Sequence, residues 1–482
     1  MRWTSFIGGS NAPLSLTLNS ERTVNLYVEA AQSRGANNAA CLLPTPGFTA
    51  WSTVSNVVSR GSIVANGRLF FVFGGGFYEF SSTAVSTKWG TVVQDANPAQ
   101  LAYNGKVGGQ VGIASGGNVY SFTLATNTFA GPHFGGATTT MLAFADGYGL
   151  AFDATTGKVY LSALNDFTTW SLGTFFQRSK FPDPWQTMFV DPNGLIWMIG
   201  SETFEVWYDT GTGTQPWAPL SGLYGRHGIG ASFAFGSSAQ GSFWLARNAE
   251  GGTYIVTTRG ADPQSIGTYA VDAAIAGYVR SSRVTDAELL LYHDQGHTFA
   301  NFAFPSAMRT WTFDAEQKMW AERGLFNSAI GDYGLWAPRV HADCFGKHFV
   351  GDRTTGTVWV MDTAVSTDVD GQGIRRLRRS PALTNEGARE PIDKIRLLMD
   401  VGLGTATGQG SDPQALMRMS TDFGRTWGNE HRASIGRIGE YFRRVEWNRL
   451  GAPDSATVEI VWSDPSPVRV TDAWVNPKER AA

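Results

Sequence analysis

The chain has 482 residues, a length at which one ordinary core gives way to two or three domains, or to one repeat-built domain with an attachment. Gly supplies 57 residues and aromatics 13% of the chain, while charged residues supply only 16%; Gly is costly inside helices and aromatics suit pleated strands, so a helical bundle or coiled coil is excluded. With 42% apolar residues and a net charge of −3, the chain is also neither disordered nor a coat for nucleic acid over its whole surface.

The first ten residues lack the apolar core of a secretory signal, and no run of 18 apolar residues exists, so neither export nor a membrane span is expected. Residues 1–50 hold one plausible strand, Arg22-Thr23-Val24-Asn25-Leu26-Tyr27-Val28-Glu29, and the Pro-rich turn Leu43-Pro44-Thr45-Pro46-Gly47-Phe48. Two cysteines, Cys41 and Cys344, are too few for a disulfide framework and read as reduced, buried thiols of a protein assembled inside the cell.

From about residue 60 to 371 one phrase recurs: a small-residue turn, an alternating aromatic strand, a polar turn, then Trp. It appears as Phe77-Tyr78-Glu79-Phe80, Val119-Tyr120-Ser121-Phe122, Val159-Tyr160-Leu161 and Phe204-Glu205-Val206-Trp207-Tyr208. It returns as Thr253-Tyr254-Ile255-Val256, Thr310-Trp311-Thr312-Phe313 and Thr357-Val358-Trp359-Val360. Spacings of about 40 to 57 residues suit propeller blades. One unit divides at its turns into segments 141–145, 149–153 and 159–162 and a fourth ending at Trp170, four short strands with period-two alternation. The chain therefore reads as all-β, a propeller of about six or seven blades over 51–371; stacked β-sandwiches explain the strand density but not the period. A lone N-terminal strand cannot fold by itself. Residues 1–50 and 372–482 are accordingly expected to form one discontinuous, β-sandwich-like platform into which the propeller is inserted.

Past residue 374 the chain turns basic, with fourteen Lys and Arg against nine acids up to residue 450, an excess offset by an acidic remainder. Arg375, Arg376, Arg378 and Arg379 are its densest cluster. On a strand Arg375 and Arg379 share one face and Arg376 and Arg378 the other; arginine throughout favours bidentate pairing. These four are the candidate contacts to a partner protein or to DNA, against the alternative of a solvated edge.

Ser420-Thr421-Asp422-Phe423-Gly424-Arg425-Thr426-Trp427 fits the Asp-box S-x-D-x-G-x-T-W. Asp422 can accept turn amides, Gly424 supplies positive φ, Trp427 packs under the turn, and Ser420 and Thr426 complete it. Residues 164–170 are a degenerate echo. Asp-boxes recur in sialidases, so a carbohydrate-active or carbohydrate-binding propeller stays open, but the box is a folding device and only one copy is complete.

His341, Asp343, Cys344 and His348, and separately His293, Asp294 and His297, offer metal-ligand types in strand-and-turn context, where the spacing does not converge on one ion. Gly402 to Gly410 lacks the Lys-Ser/Thr and the helix of a phosphate loop. No G-x-S-x-G is present and neither cysteine has a nucleophile signature. No catalytic, cofactor or metal residue is assigned.

The strand at Arg22–Glu29, the turn at Leu43–Phe48, Gly222-Leu-Tyr-Gly-Arg-His-Gly-Ile-Gly230 and the arginine cluster are one half of a wider pattern. The other half is 408–414, the Asp-box, Ile435-Gly-Arg-Ile-Gly-Glu-Tyr441 and Arg443-Arg-Val-Glu-Trp-Asn-Arg-Leu-Gly451. Together they resemble, over essentially the whole chain, the packaged-DNA stabilisation (tail hub or nozzle) family of P22-like podoviruses. The resemblance implies a non-enzymatic virion tail protein without cofactors, assembled in the host cytoplasm below the portal. It further implies a homo-oligomer, a hexameric ring, with the head-to-tail adaptor, a tailspike or tail fibre and the tail needle as neighbours. Duplex DNA would be retained by this ring and conducted through it during ejection.

Overall fold

Two-residue turns generate the strands of the central region. Ala65 and Arg68 pair across Asn66-Gly67, both residues left-handed at φ 50° and 76°, the type I′ geometry whose twist matches that of the flanking strands. The same turn closes hairpins at Gly116-Gly117, Asp146-Gly147, Gln295-Gly296 and Phe345-Gly346. A second device follows in several repeats: the carboxylates of Asp153, Asp314 and Asp352 accept amide hydrogens from Thr155 (2.8 Å), Glu316 (3.1 Å) and Thr354 (3.0 Å). Such Asx turns reverse the chain between inner and outer strands.

The computed structural model describes residues 1–33, 38–54, 57–133, 135–178, 180–213, 215–260, 262–385 and 388–477. Among the described residues these hairpins build seven propeller blades. Blades one to four are the four-stranded sheets beginning at Ser59, Gln100, Thr139 and Trp185, and blade five is a five-stranded sheet from Gly228 to Ser265. Blade six is formed by Glu288–Asp294, His297–Phe304, Arg309–Asp314 and Met319–Arg323. Blade seven takes three strands from Pro338–Cys344, Lys347–Asp352 and Thr357–Asp362, and its fourth, Gly47–Thr53, from the other end of the repeat region.

Each blade face is apolar and meets the next. Phe70, Phe77 and Phe122 fill the seam between blades one and two, Trp197, Phe204 and Trp244 that between four and five, and Leu69, Phe71, Phe349 and Val358 that between seven and one. The first and last blades therefore touch, and the ring closes. Between blades five and six lies one helix, Tyr269–Ser281, capped by the Thr268 hydroxyl and packed through Val271 and Ile275; its apolar spacing over 270–278 is the signal that the strand reading passed over.

Blade six does not end at its fourth strand. Arg22–Val24 pairs with it in parallel, Val24 opposite Glu322, then Arg376–Arg379, Ser455–Trp462, Gln414–Ser420 and His431–Ser434 continue the sheet. Opposite lies a second sheet of Leu26–Ala30, Ala40–Pro44, Val470–Val475, Lys394–Met399 and Val445–Asn448. Leu26, Leu42, Ile395, Met417, Ile460 and Trp462 form the core between them, so the propeller is joined to a β-sandwich.

The single strand expected at Arg22–Glu29 is broken in two. Asn25 is left-handed at φ 55°, a conformation Asn tolerates better than other non-Gly residues. Its side chain donates to the carbonyls of Gly324 and Arg375 (2.9 Å each) and accepts from the Gly324 amide (3.0 Å). The corner sends Arg22–Val24 into one sheet and Leu26–Ala30 into the other, pinning the exit of blade six and the entry to the sandwich together.

Candidate partner interface and its supporting joint

The arginine cluster lies at this joint. Arg376–Arg379 is an interior strand, flanked by Arg22–Val24 and Ser455–Trp462, so it presents no free edge. Arg378 is fully buried. Its guanidinium donates to the carbonyls of Phe6 (2.6 Å), Gly9 (2.9 Å) and Ser5 (3.3 Å), to the Thr23 hydroxyl (2.9 Å) and to the Glu21 carboxylate (2.5 Å). Arg376 is equally buried, with one long bond to the Ser466 carbonyl, 3.4 Å, and burial pushes its pKa down to about 10. Arg379 pairs with the fully buried Glu459, Nη2 to Oε2 at 2.7 Å. Arg375 alone of the four is a partly exposed residue with no carboxylate partner among the described residues, its guanidinium 4.3 Å over the Phe326 ring.

The reading of four contact arginines is corrected by this geometry. Arg376 and Arg378 have no surface with which to meet a partner or DNA, and Arg379 is held inside its own chain. The carboxylate pairing expected across an interface is made by Glu21 and Glu459 instead. A charged strand is buried here because the N-terminal segment lies against Arg378 and the chain at Ser466 against Arg376, contacts between distant segments that the local alternation does not reveal.

Arg22 strengthens the same joint and was legible only as a strand residue. It forks onto Glu322 (2.8 Å from both Nε and Nη2) and reaches Asp332 (2.9 Å), which also receives Arg309 at 2.7 Å. Burial alone would lower its pKa, yet the two carboxylates hold it charged, above its ordinary value.

The Asp-box forms the turn its residues implied. Asp422 Oδ1 accepts from Ser420 Oγ (2.6 Å) and from the amides of Arg425 (2.9 Å) and Thr426 (2.8 Å), while Oδ2 accepts from Thr426 Oγ1 at 2.6 Å. Gly424 sits at φ 91°, its amide donating to Ser420 Oγ at 2.8 Å. Trp427 is half-buried, with two guanidiniums over its ring, Arg379 at 4.9 Å and Arg418 at 4.8 Å, both paired with Glu459. The Ser420 hydroxyl, then that of Thr426, hold the Asp422 carboxyl well below the usual carboxylate range. Asp422→Ala is therefore expected to lower the midpoint of thermal unfolding by a few degrees while introducing no change in any hydrolytic assay; an unchanged midpoint contradicts the turn role. The echo in blade three folds similarly: the Asp166 carboxylate accepts from the Thr168 amide (2.9 Å) and hydroxyl (2.7 Å), and these donors outweigh its burial to hold it at about 2.

The histidine groupings separate into pairs. The chain does turn back at Gln295-Gly296, so His293 and His297 lie on adjacent strands, but His293 bonds Thr298 (2.8 Å) and His297 bonds Asp314 (2.7 Å). His341 and His348 bond each other at 3.0 Å across blade seven. Among the described residues no group of three His, Cys, Asp or Glu is placed to hold a metal ion.

Three buried acid–base groups, His297, Asp368 and His341, set much of the pH dependence. The Asp314 hydrogen bond raises the His297 pKa against its burial, and burial raises Asp368 to about 6. A raised folded pKa contributes stability that is complete below the unfolded value and lost as pH rises through the folded one, from about 4 to 6 for Asp368 and above about 6.5 for His297. Asp422 and Asp166, both depressed, contribute above about pH 4 and lose it on acidification. His341 works the other way: burial pushes its pKa down to about 3, so folding excludes a proton and stability rises with pH up to about 6.5. Stability is therefore expected to peak at about pH 6.5, and urea midpoints across about pH 3–9 measure it, a maximum at about pH 4 contradicting the assignment.

Aspartates committed to turns and arginines committed to joints hold together a propeller-and-sandwich architecture. Two family profiles match the chain in that same order: bacteriophage P22 Gp10, beta-propeller, over residues 12–366, and bacteriophage P22 Gp10, beta-sandwich, over residues 375–476. The chain belongs to the bacteriophage P22 Gp10 family of phage structural proteins, as its sequence resemblance implied. No match is found among curated proteins. Among solved structures, virginiamycin B lyase from Staphylococcus aureus is similar at 7% identity and a TM-score of 0.42, over 64% of this chain and 97% of that one. YCF48 from Cyanidioschyzon merolae is similar at 11% identity and a TM-score of 0.40, over 66% of this chain and 99% of that one.

Proposed function

We propose that this chain is the tail hub, or nozzle, of a short-tailed phage: a homo-oligomeric ring, of six copies, below the portal and adaptor that retains packaged DNA and conducts it during ejection. Membership of the P22 Gp10 family over both parts of the chain carries this reading. The propeller, expected at 51–371, and the discontinuous unit, expected at 1–50 with 372–482, are its two working parts; residues 47–50 pass to the propeller as part of blade seven, and the continuous sheet from blade six links the two. A non-enzymatic role accords with carboxylates that serve as turn acceptors. The head-to-tail adaptor, a tailspike or tail fibre and the tail needle are the protein partners, and of the arginine cluster Arg375 is the residue assigned to an external contact. A conduit has to let duplex DNA slide, because each neutralised phosphate adds affinity through counterion release; the acidic remainder outside 374–450 suits such a wall.

Native mass spectrometry of the purified chain and its detection in purified virions test the reading together. A six-fold ring present in virions, with phage lacking the gene filling heads that then leak DNA, is the expected result. A strict monomer absent from virions, or turnover of a sialoside, overturns it in favour of the carbohydrate-directed alternative.

A further inference from the structure

The sandwich carries a loop whose composition its own fold does not use. Arg437-Ile438-Gly439-Glu440-Tyr441-Phe442-Arg443-Arg444 is exposed without interruption. Ile438 and Tyr441 are each 62% exposed and Phe442 is 100% exposed; single exposed apolar residues are ordinary, but three on one tip mark a contact surface. The tip is firmly built. Ile435 and Val445, at its two ends, are buried in the sandwich core. Gly436 turns left-handed at φ 96°, the Gly439 amide donates to the Gly402 carbonyl (3.1 Å), and the Glu440 amide donates to the Arg437 carbonyl (2.9 Å). In return the Arg437 amide donates to Glu440 Oε2 at 3.1 Å. A braced turn thus holds the apolar side chains out in water.

Arginine surrounds the tip. The loop itself sets Arg437, Arg443 and Arg444 against Glu440. Arg437 reaches Asp412 at 3.7 Å and the neighbouring Arg432 reaches Glu430 at 3.8 Å, long pairs between exposed side chains. Arg443 and Arg444 have no carboxylate partner among the described residues. Beside Phe442 lies an open cleft of about 470 Å³, lined by Arg432, Arg443 and Arg444 together with Ser434 and Glu446. Glu446 is already engaged, by Arg396 at 2.7 Å and Lys394 at 3.6 Å. A cleft with spare cationic donors therefore adjoins an apolar prong.

We propose that this loop docks onto an anionic lipid bilayer, with Ile438, Tyr441 and Phe442 entering the boundary between headgroups and acyl chains and the arginines of the cleft taking lipid phosphate. A bilayer uses both halves of the surface, since apolar insertion and attraction of arginine to anionic lipid act together. Duplex DNA engages arginines but gives three apolar side chains nothing to do. A two-fold contact with a second copy sets arginine against arginine. Eight exposed residues also fall well short of the roughly 20–30 per side of a stable protein interface. A lipid surface needs no such area, because it closes around a convex tip. The site is separate from the arginine cluster at the joint and stands whether or not the chain forms a ring.

Flotation of the purified full-length chain with vesicles tests this, using phosphatidylcholine with about 30% phosphatidylglycerol and, as control, phosphatidylcholine alone. Half-binding to the anionic vesicles is expected at about 1 mM lipid, and binding to the control at least about tenfold weaker. Phe442→Ser is expected to weaken binding at least about tenfold, and Arg443→Gln with Arg444→Gln about thirtyfold, each with an unchanged urea midpoint. No flotation up to about 10 mM anionic lipid, equal binding to both vesicles, or a Phe442→Ser chain that floats like the wild type overturns the proposal. So does a wild-type chain that fails to float while the arginine pair is needed for binding duplex DNA, or Phe442 for self-association; the tip then belongs to nucleic acid or to a second copy. The comparison of the two vesicle types on the wild-type chain decides the question even if a variant does not fold.

Discussion

Arg378→Ala is expected to cost about 3–5 kcal/mol of stability, the range for removing one partner from a fully buried charge network. The substitution strands the Glu21 carboxylate and leaves three carbonyls and the Thr23 hydroxyl without their donor. Because those acceptors come from residues 5–23 and the arginine from the C-terminal part, the loss falls on the joint between N-terminal segment and sandwich. Arg378→Lys is expected to recover little, since a single ammonium cannot reproduce a planar fork serving five acceptors. Urea unfolding followed by tryptophan fluorescence measures both variants; a loss below about 1 kcal/mol means that the network behaves like a surface ion pair and that the joint is held by its core.

Phe48→Ala carries the second large effect, about 3–5 kcal/mol as for other buried Phe truncations. Phe48 is 3% exposed, packs 6.3 Å from Trp336 and belongs to the cluster of Tyr292, Phe299, Val350 and Met361 that fills the seam between blades six and seven. It lies on Gly47–Thr53, the strand that completes blade seven from the far end of the repeat region. Weakening it opens the ring where the two ends of the repeats meet, so proteolysis within the seam is expected to accelerate along with the drop in urea midpoint. A stability loss without faster cleavage means that the ring opens only on global unfolding.

Exposed polar interactions rank lower in both size and reach. Arg389 and Asp454 form a pair at 3.3 Å with both side chains largely exposed, and pairs of that kind contribute little. The joint at Arg22 and Arg378 differs because its carboxylates, Glu322 and Glu21, are mostly withdrawn from water and each guanidinium meets several acceptors.

Much of this protein is local in origin and therefore legible from its residues. Asn66-Gly67, Asp146-Gly147 and their counterparts specify hairpins through the left-handed backbone they accept, and alternation around them specifies strands, so the repeat period already implied a propeller. Ser420, Asp422, Gly424 and Thr426 lie within seven residues and specify their own turn in the same way. The arginine cluster was legible in type and misleading in place. Whether Arg376 and Arg378 face water depends on Ser5, Phe6 and Gly9, about 370 residues before Arg378, and on Ser466, 90 residues after Arg376, which meet their side chains. The break at Asn25 depends likewise on Gly324 and Arg375, and the pairing of Arg353 on a Glu288 brought from another blade. Short-range sterics and turn hydrogen bonds act between neighbours in sequence, whereas burial and ion pairing are properties of segments that meet only once the ring has closed.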